Sequence, residues 1–542
     1  MIYEKGNMQI EISDNSAYPW YYGNNVFVRG YAFEGDVLFR DKTLAERFSK
    51  AQDALCAVNL IKELDGFFSV IISFENNAFA AVDHLRSMPL FYYQDNGKWT
   101  ITDSLSGDKL KGFELDKKTL QQFQYALEVI GRDSLLKGVW QLQAGEYAVF
   151  GHEVMTDYWW QFLYAKNQIE DKNAAIELLH NENEKMFRHL ITVLDGRTAV
   201  IPLSGGHDSR YIAYYLKKLG YDKVIAYSYG RKDNEESTVA VLVAKTLGIP
   251  VYFIEYERKS ARKWAKQHFN SYLLFAGNAV SVPCIQETYA VFRLVEDGIV
   301  AKDCVFVPGY GGSYLDGATI IEKLLDDKTY SIDELTEALL GEHFFEARRF
   351  GKKTEVRDKI GERAILSDYL QAHKDSLSRN EANEIYEKFG YMERQAKFVM
   401  NAPRTYEYYG IQWATPEFER RQTEIWSNIS YKLRYQRYSF FEYEKTEYPE
   451  EFGKLPFAGK VLNTKQSIND RLLSKLSRFS PLTTSKDASY MYVFAEPFAY
   501  AINLYLHRNR SVNYWVSKKY ISLLKKNVGL PEFQRRLYVE ND

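Results

Sequence analysis

A short apolar run that opens into a glycine-bearing loop constrains this sequence more than any other feature. Residues 199–201 are wholly apolar, the string LSGGHDS (203–209) follows, and an amphipathic stretch at 210–219 ends at Gly220. This order predicts a buried strand, a tight turn and a helix. Two adjacent glycines let the turn bring backbone N–H groups against a ligand, and the start of the helix adds unpaired N–H donors. The string therefore predicts an anion-binding loop.

The polar side chains of this loop add candidate ligands. Ser204 and Ser209 supply hydroxyls, and Asp208 supplies a carboxylate that could hold Mg²⁺ on a polyphosphate. Pyrophosphate is a leaving group with several negative charges, which backbone N–H groups and Mg²⁺ stabilise without a proton transfer. The alternative interpretation is an ordinary turn in which a Ser or Asp side chain only caps the following helix.

Further strand and helix signals follow the loop. The apolar runs 224–228 and 251–254 flank a helical stretch at 235–247. Short connections in this order predict parallel strands joined by right-handed crossovers. Ligands on such sheets bind at the carboxyl ends of the strands, so Ser228 and Gly230 are predicted to lie beside the loop.

The first 165 residues have a different pattern. Short β-type runs are separated by turn signals and lie at 26–28, 67–74, 78–82, 90–93, 99–101 and 147–150. Helical stretches are predicted at 43–64 and 116–125. The pattern favours an α+β layered domain. A chain of 542 residues is long enough for two or more domains.

Composition indicates which binding partners and which cellular compartment suit this chain. The formal net charge of −2 argues against general electrostatic binding of nucleic acid. Cys56, Cys284 and Cys304 are too widely spaced for a disulfide framework or a metal site, and they favour a reducing, cytoplasmic setting. No stretch of about 18 apolar residues occurs, so no membrane span is predicted. The sequence leaves a homodimer open.

Three strings carry a resemblance to a known domain. DGFFSVII (65–72), AVDHLRSMPLFYY (81–93) and LLKGVWQLQAGEYAVF (135–150) resemble the class II glutamine amidotransferase domain, an Ntn-type sandwich of sheets and helices. The nucleophile of that domain is an N-terminal cysteine whose own amine serves as the base. Ile2 stands there in this chain, and Cys56 lacks an adjacent terminal amine. The resemblance implies an Ntn-type α+β sandwich domain at 1–167 that has lost glutaminase activity and survives as a packing or substrate-shaping partner.

The loop and the string SYGRKDNEESTVAVLVAKTLGIP (228–250) resemble the PP-loop ATP pyrophosphatase fold. More narrowly they resemble the asparagine synthetase family, in which the synthetase domain follows an amidotransferase domain. The resemblance implies an α/β parallel-sheet PP-loop domain at 168–542 with a helical C-terminal part. It also implies that ATP, with Mg²⁺, is cleaved between its α and β phosphates, Ser228 and Gly230 bracketing the adenine end. The residues implied to bind ATP and pyrophosphate are Leu203, Ser204, Gly205, Gly206, Asp208, Ser209, Ser228, Gly230 and Gly309.

A second glycine-rich string, PGYGGSYLDG (308–317), follows the apolar run 305–307. The matching loop of asparagine synthetases reads roughly G-E-G-S-D-E. Tyr310 stands at the first acidic position, as in β-lactam and carbapenam synthetases, where this Tyr belongs to a Tyr–Glu dyad that deprotonates the attacking amine. Ser313 stands where the family has a metal-binding Asp, so Asp208 and Asp316 are the predicted metal ligands. Alternatively, Tyr310 is only an aromatic wall of the pocket.

Two later strings complete the resemblance. NAPRTYEYYGIQWATPEF (401–418) is similar to a family segment ending in G-x-E-x-R-x-P-F, with Gln412 and Ala414 at the Glu and Arg positions. Glu407 is the nearest acid and the predicted partner of Tyr310. LPFAGKVLNTKQSI (455–468) is similar to the segment that brings a lysine to the α-phosphate, and Lys465 fits that place. The alternative for Lys465 is a solvated surface lysine.

The resemblance implies an AMP-forming carbon–nitrogen ligase. Such an enzyme would adenylate a small-molecule or glycan-linked carboxylate and join it to an amine or ammonia, in surface-polysaccharide or natural-product biosynthesis. One alternative is an enzyme that forms an intramolecular lactam or macrolactam. Another is a catalytically silent nucleotide-binding scaffold, which the departures at Ile2, Ser313 and Gln412 favour.

The missing terminal cysteine yields a direct prediction. Incubation of the full chain with glutamine is expected to release no glutamate, because neither Ile2 nor the internal Cys56 can act as an amine-activated thiol nucleophile. Enzymatic measurement of glutamate checks this, with heat-denatured protein as the control. Glutamate release above that background would overturn the prediction.

Overall fold

The computed structural model describes residues 1–6, 8–230, 232, 234–344, 366, 369, 376–458 and 512–528. The strands of the first part, in chain order, are β1 (Ile2–Lys5), β2 (Met8–Glu11), β3 (Tyr21–Gly23), β4 (Val26–Glu34), β5 (Val37–Arg40), β6 (Asp65–Ser73), β7 (Ala78–Val82), β8 (Phe91–Asp95), β9 (Lys98–Thr102), β10 (Val139–Gln141), β11 (Glu146–Phe150) and β12 (Val154–Tyr158). Its helices are α1 (Asp41–Phe48), α2 (Ala54–Lys62) and α3 (Lys117–Ala126), with a 3₁₀ turn at Gly107–Leu110.

These strands form two sheets that pack face to face. One sheet has the order β1-β2-β9-β8-β10, and the other has the order β12-β11-β7-β6-β4-β3 with β5 paired to β4. All these pairs are antiparallel except β2 with β9. Ile10 and Tyr92 from the first sheet share a buried cluster with Ile71 and Phe150 from the second. Helices α1 and α2 cover the outer face of the second sheet, which makes a layered α+β arrangement.

The helical stretch predicted near 43–64 is confirmed as helical but is interrupted. The chain forms α1 and α2, separated by residues 49–53. Asp53 has an extended backbone, and its side chain accepts a hydrogen bond from the backbone N–H of Cys56. This capping bond begins a new helix at Ala54, because an Asp side chain competes for N–H groups that a continuous helix would use internally.

The second part contains the remaining elements. Its strands are β13 (Ala199–Pro202), β14 (Val224–Gly230), β15 (Val251–Glu255), β16 (Val305–Phe306), β17 (Tyr330–Ser331), β18 (Ser376–Leu377) and β19 (Gln412–Trp413). Its helices are α4 (Lys172–Leu194), α5 (Asp208–Lys218), α6 (Glu235–Leu247), α7 (Arg258–Gly277), α8 (Thr288–Glu296), α9 (Gly312–Leu315), α10 (Ile332–His343), α11 (Arg379–Phe389), α12 (Arg404–Tyr408), α13 (Arg420–Asn428), α14 (Tyr431–Arg434), α15 (Tyr438–Glu447), α16 (Glu450–Gly453) and α17 (Val512–Asn527). A π-helical turn spans Gly390–Phe398, and 3₁₀ turns lie at Glu322–Leu324, Val399–Asn401, Pro416–Phe418 and Tyr435–Arg437.

Among the described residues, none of these helices combines the length and apolar character that crossing a bilayer requires. The predicted domain boundary at 167/168 falls in the connection between β12 and α4. It stays a prediction.

The second part is built on a parallel sheet with the order β15-β14-β13-β16-β19. Ala199 in β13 is in register with Val224 in β14 on one side and with Val305 in β16 on the other. The chain therefore runs outward from β13 in one direction and returns to β13's other edge at β16. Such a reversal of strand order opens a crevice at the carboxyl ends of the two strands, where ligands of open α/β sheets bind.

Buried polar contacts join the two parts. Lys397 is completely buried, and its Nζ donates to the carbonyl oxygens of Val129 (3.0 Å) and Gly131 (2.7 Å). It also forms an ion pair with buried Glu393, whose Oε1 accepts from the N–H of Gly131 at 3.1 Å. Burial lowers the pKa of Lys397, while the charge of Glu393 raises it. Hydrogen bonds from both members of this ion pair thus link the π-helical turn to the loop before β10.

Removal of this lysine is expected to destabilise the protein. Lys397→Met would leave Glu393 as an uncompensated buried charge, at a cost of about 3–5 kcal/mol. We expect a lower midpoint of urea unfolding, followed by fluorescence. Lys445→Met is the matched control, because Lys445 is 71% exposed in its pair with Glu442, and an exposed pair is worth roughly 0–1 kcal/mol. Equal midpoints for the two variants would contradict the role of Lys397.

Candidate functional site

The loop between β13 and α5 lies at the carboxyl end of the central strand and is held by its own hydroxyls. The N–H of Ser204 donates to Oγ of Ser209 at 3.1 Å, and the two hydroxyls lie 3.2 Å apart. Oγ of Ser204 also accepts from the N–H of Gly206 at 3.2 Å. The N–H of Leu203 donates to the carbonyl oxygen of Tyr227 at 2.8 Å, which ties the start of the loop to β14. The loop is therefore pre-formed beside the N-terminus of α5.

The structure places Ser228 and Gly230 on the strand next to this loop. Ser228 is buried, and the carbonyl oxygen of Gly230 accepts from the N–H of Tyr256 at 2.7 Å. Gly230 has a φ of 125°, a conformation that side chains rarely adopt. β14 therefore leaves its ladder at Gly230, close to where β13 opens into the loop.

The loop after β16 approaches the loop after β13 with no room for a side chain. A Cβ added to Gly309 would lie 2.9 Å from Cβ of Asp208 and 2.9 Å from the backbone nitrogen of Ser209. A Cβ added to Gly312 would lie 2.0 Å from Oε1 of Glu417. The crevice predicted from the strand order is thus bounded by two loops in direct contact.

Asp208 and Asp316 come together, but a guanidinium lies between them. Nη2 of Arg437 is 2.6 Å from Oδ1 of Asp208 and 2.6 Å from Oδ2 of Asp316. Across the described ranges, no group of three or more His, Cys, Asp or Glu side chains is arranged to hold a metal ion. The residues present therefore do not fit a divalent cation bridging Asp208 and Asp316. An ion-pair cluster stands at the place of the predicted metal site, and the binding of a metal ion by Asp208 and Asp316 stays a prediction.

Burial sets the protonation of this cluster. It raises the pKa of Asp316 to about 8, against the lowering effect of Arg437. It also holds the pKa of Glu417 well above its ordinary value, and the charge of Asp208 raises it further. Burial lowers the pKa of Arg437, but the carboxylates of Asp316 and Asp208 raise it above its usual range. Arg437 is therefore the permanent charge of the cluster.

Tyr310 contacts a carboxylate that the sequence does not predict. Its hydroxyl donates to Oε2 of Glu287 at 3.3 Å, and the hydroxyl of Tyr406 donates to the same oxygen at 3.0 Å. The hydroxyl of Tyr227 donates to Oε1. Burial raises the pKa of Glu287 above its ordinary value, although the hydrogen bonds from the three tyrosine hydroxyls oppose this shift. Glu287 stands immediately before α8 and belongs to no recognisable motif. The sequence offers one signal for it, an acidic residue at the start of a helix.

The predicted pairing of Tyr310 with Glu407 is wrong. Glu407 is buried, and its Oε2 accepts from Nη1 of Arg404 (2.6 Å) and Nδ2 of Asn15 (2.9 Å). Its Oε1 accepts from Nε1 of Trp413 at 2.8 Å. Successive residues of a helix point in directions about 100° apart, so Tyr406 faces Glu287 while Glu407 faces the first part.

The chain that follows α16 lies on the loop. The N–H of Ala458 donates to the carbonyl oxygen of Gly205 at 3.0 Å, and the ring of Phe457 stacks on His207 with centroids 3.8 Å apart. Nη2 of Arg210 donates to the carbonyl oxygen of Pro456 at 2.6 Å. Lys465 lies outside the described residues. The contacts show that residues 456–458 cover one side of the loop.

Comparisons with known proteins find partial sequence matches. No family model matches the chain. It is 27% identical over 183 residues to the tRNA-specific 2-thiouridylase MnmA of Exiguobacterium sibiricum, over 31% of this chain and 48% of that protein. It is 26% identical over 190 residues to MnmA of Bacillus thuringiensis, over 33% of this chain and 50% of that protein. The chain thus spans about half the length of these curated relatives. The matches support a PP-loop-like architecture and do not single out asparagine synthetases.

Solved structures show only weak likeness. The allosteric regulatory enzyme of purine biosynthesis is 12% identical, with a TM-score of 0.18, over 44% of this chain and 62% of that one. Glutamine phosphoribosylpyrophosphate amidotransferase from B. subtilis, complexed with ADP and GMP, is 11% identical, with a TM-score of 0.17, over 53% of this chain and 63% of that one. These TM-scores are too low to indicate a shared overall fold.

Proposed function

We propose that this protein binds ATP at residues 203–209 and uses it to adenylate a carboxylate, which an amine then attacks to form an amide. The observation that carries the proposal is the pre-formed loop at the reversal point of a parallel sheet. The start of α5 suits a polyphosphate, because the N-terminus of a helix presents N–H donors and a positive dipole end to an anion. The partial matches to PP-loop proteins support the use of ATP. The product of the reaction would be an amide, with AMP and pyrophosphate released.

In this proposal the chain binds ATP mainly through its backbone. Residues 203–209 hold the β and γ phosphates, while Ser228 and Gly230 flank the adenine end. Gly309 lets the second loop close on Asp208, since a Cβ at this position would lie only 2.9 Å from Cβ of Asp208. We assign no step to a metal ion between Asp208 and Asp316, because Arg437 lies there. The carboxylate substrate would enter on the side of Tyr310.

Tyr310 and Glu287 suit the second half of the reaction. As the amine nitrogen bonds to the acyl carbon, it must lose a proton, and the bond from that carbon to AMP breaks with its electron pair. Oη of Tyr310 accepts the proton while the phenolic proton passes along the 3.3 Å hydrogen bond to Glu287. The hydrogen bonds from Tyr227 and Tyr406 hold the Glu287 carboxylate in place.

Sulfur transfer to tRNA is the second candidate, favoured by the name of the matched relatives. Two observations favour amide formation over it. The net charge of −2 suits a small substrate better than a nucleic acid. Burial also raises the pKa of Cys284 to about 11 and that of Cys304 to about 12. Neither thiol would ionise at neutral pH to act as a nucleophile.

The nucleotide site is tested by filling the space at Gly309. Gly309→Ala is expected to weaken ATP binding by about tenfold, within the roughly 1–3 kcal/mol that overpacking costs. Isothermal titration measures the binding, and carboxylate-dependent exchange between ATP and labelled pyrophosphate measures adenylation. Gly341→Ala is the matched control, because a Cβ there meets nothing within 4 Å. Unchanged ATP affinity in Gly309→Ala would contradict the site, and binding without exchange for any carboxylate would favour a silent scaffold.

The proton relay is tested with two tyrosines that share one acceptor. Tyr310→Phe is expected to leave pyrophosphate exchange intact and to slow amide formation by about 10²–10⁴-fold, the usual contribution of a positioned base. Tyr406→Phe is the matched control, since it removes a hydrogen bond from the same Oε2 of Glu287. Single-turnover amide formation measures both.

The pH dependence of amide formation gives a second readout of the relay. Because Glu287 must be ionised to receive the proton and its pKa is raised, activity should fall with decreasing pH at values above 4.5, the ordinary glutamate value. Equal rates for the two Phe variants, at all pH values, would contradict the relay.

A further inference from the structure

Arg437 is held by an unusual backbone turn. It follows α14 in the 3₁₀ turn Tyr435–Arg437, where Gln436 has a φ of 55° and Arg437 a φ of 63°. Two successive non-glycine residues in the left-handed region are unfavourable unless the surroundings maintain them. The guanidinium carbon of Arg437 lies 4.6 Å from the ring centroid of Phe440 and 5.4 Å from that of Phe441. The turn and the two rings together hold the guanidinium in place.

The acceptors around Arg437 come from separate loops. Nε donates to Oδ2 of Asp316 at 2.7 Å, and Nη2 donates to Oδ1 of Asp208 at 2.6 Å. Oδ1 of Asp316 and Oε2 of Glu417 are buried without a hydrogen-bond partner. The cluster therefore offers more oxygen acceptors than its one cation uses, since a planar guanidinium donates only along its own fork.

We propose that the guanidinium of Arg437 is the resident cation of this centre and takes the place of a divalent ion between Asp208 and Asp316. Arg437 is a positioning residue, because it holds Asp208 and the start of α5 against the second loop. Only the use of this position for binding ATP rests on the proposed function. Carboxylate oxygens from two loops are the donors that Mg²⁺ or Mn²⁺ prefers. Removal of the guanidinium should therefore turn the ion-pair cluster into a metal site.

The experiment uses the full chain and Mn²⁺ alone, without nucleotide. Wild-type protein and Asp208→Asn are expected to bind Mn²⁺ equally weakly, as measured by the loss of the free Mn²⁺ signal in electron paramagnetic resonance. Arg437→Met, which keeps an unbranched stem and removes the charged guanidinium, is expected to gain one site that binds at least about tenfold more tightly. Arg437→Lys is the charge-preserving control and should gain no such site. The double variant Arg437→Met, Asp316→Asn should lose the new site again.

Several outcomes overturn the inference. One is a Mn²⁺ site in the wild type that Asp208→Asn abolishes, and this comparison stands even if Arg437→Met does not fold. Another is a folded Arg437→Met, judged by near-ultraviolet circular dichroism, that gains no Mn²⁺ site. Because no ATP is present, these results are independent of the proposed function: a failed ATP titration leaves them intact, and their failure leaves ATP binding intact.

Discussion

The close approach of the loops after β13 and β16 is the contact on which the rest of the site depends. The two strands are neighbours in the parallel sheet although β14 and β15 come between them in the chain. The approach requires a residue without a side chain at Gly309, where a Cβ would lie 2.9 Å from both Asp208 and the nitrogen of Ser209. Once the contact is made, Tyr310 and Asp316 are carried to the start of α5. A wider separation of the two loops would move Asp316 away from Asp208.

The sequence predicts those parts of the site whose residues lie in one contiguous stretch of the chain. The strand, glycine turn and helix around 199–219 are visible because each signal lies next to the other. Glu287 and Arg437 were missed because their importance comes only from partners far away in the chain, and Arg437 is one of 70 basic residues. The assignment of Glu407 failed by one residue, since Tyr406 on the same helical turn takes the place beside Glu287.

The first part is bonded to the second through residues of the very strings that resemble an amidotransferase. Asp65, which opens one of these strings, accepts from the N–H groups of Arg420 and Arg421 at 2.7 and 2.8 Å and so caps α13. His84 of another string contacts the carbonyl oxygen of Phe418 at 2.7 Å. These residues follow a known pattern, but the structure uses them for packing between the parts.

Because of this interface, neither part of the chain is a self-contained unit. Asn15 donates a hydrogen bond to Glu407, and Lys397 donates to the carbonyl oxygens of residues 129 and 131. Deletion of the first part would take one hydrogen-bond partner from buried Glu407, take two from buried Lys397 and uncap α13. A buried polar group that loses a partner is costly to the folded state. The two parts are therefore expected to unfold as one cooperative unit, because each contributes partners to the buried polar groups of the other.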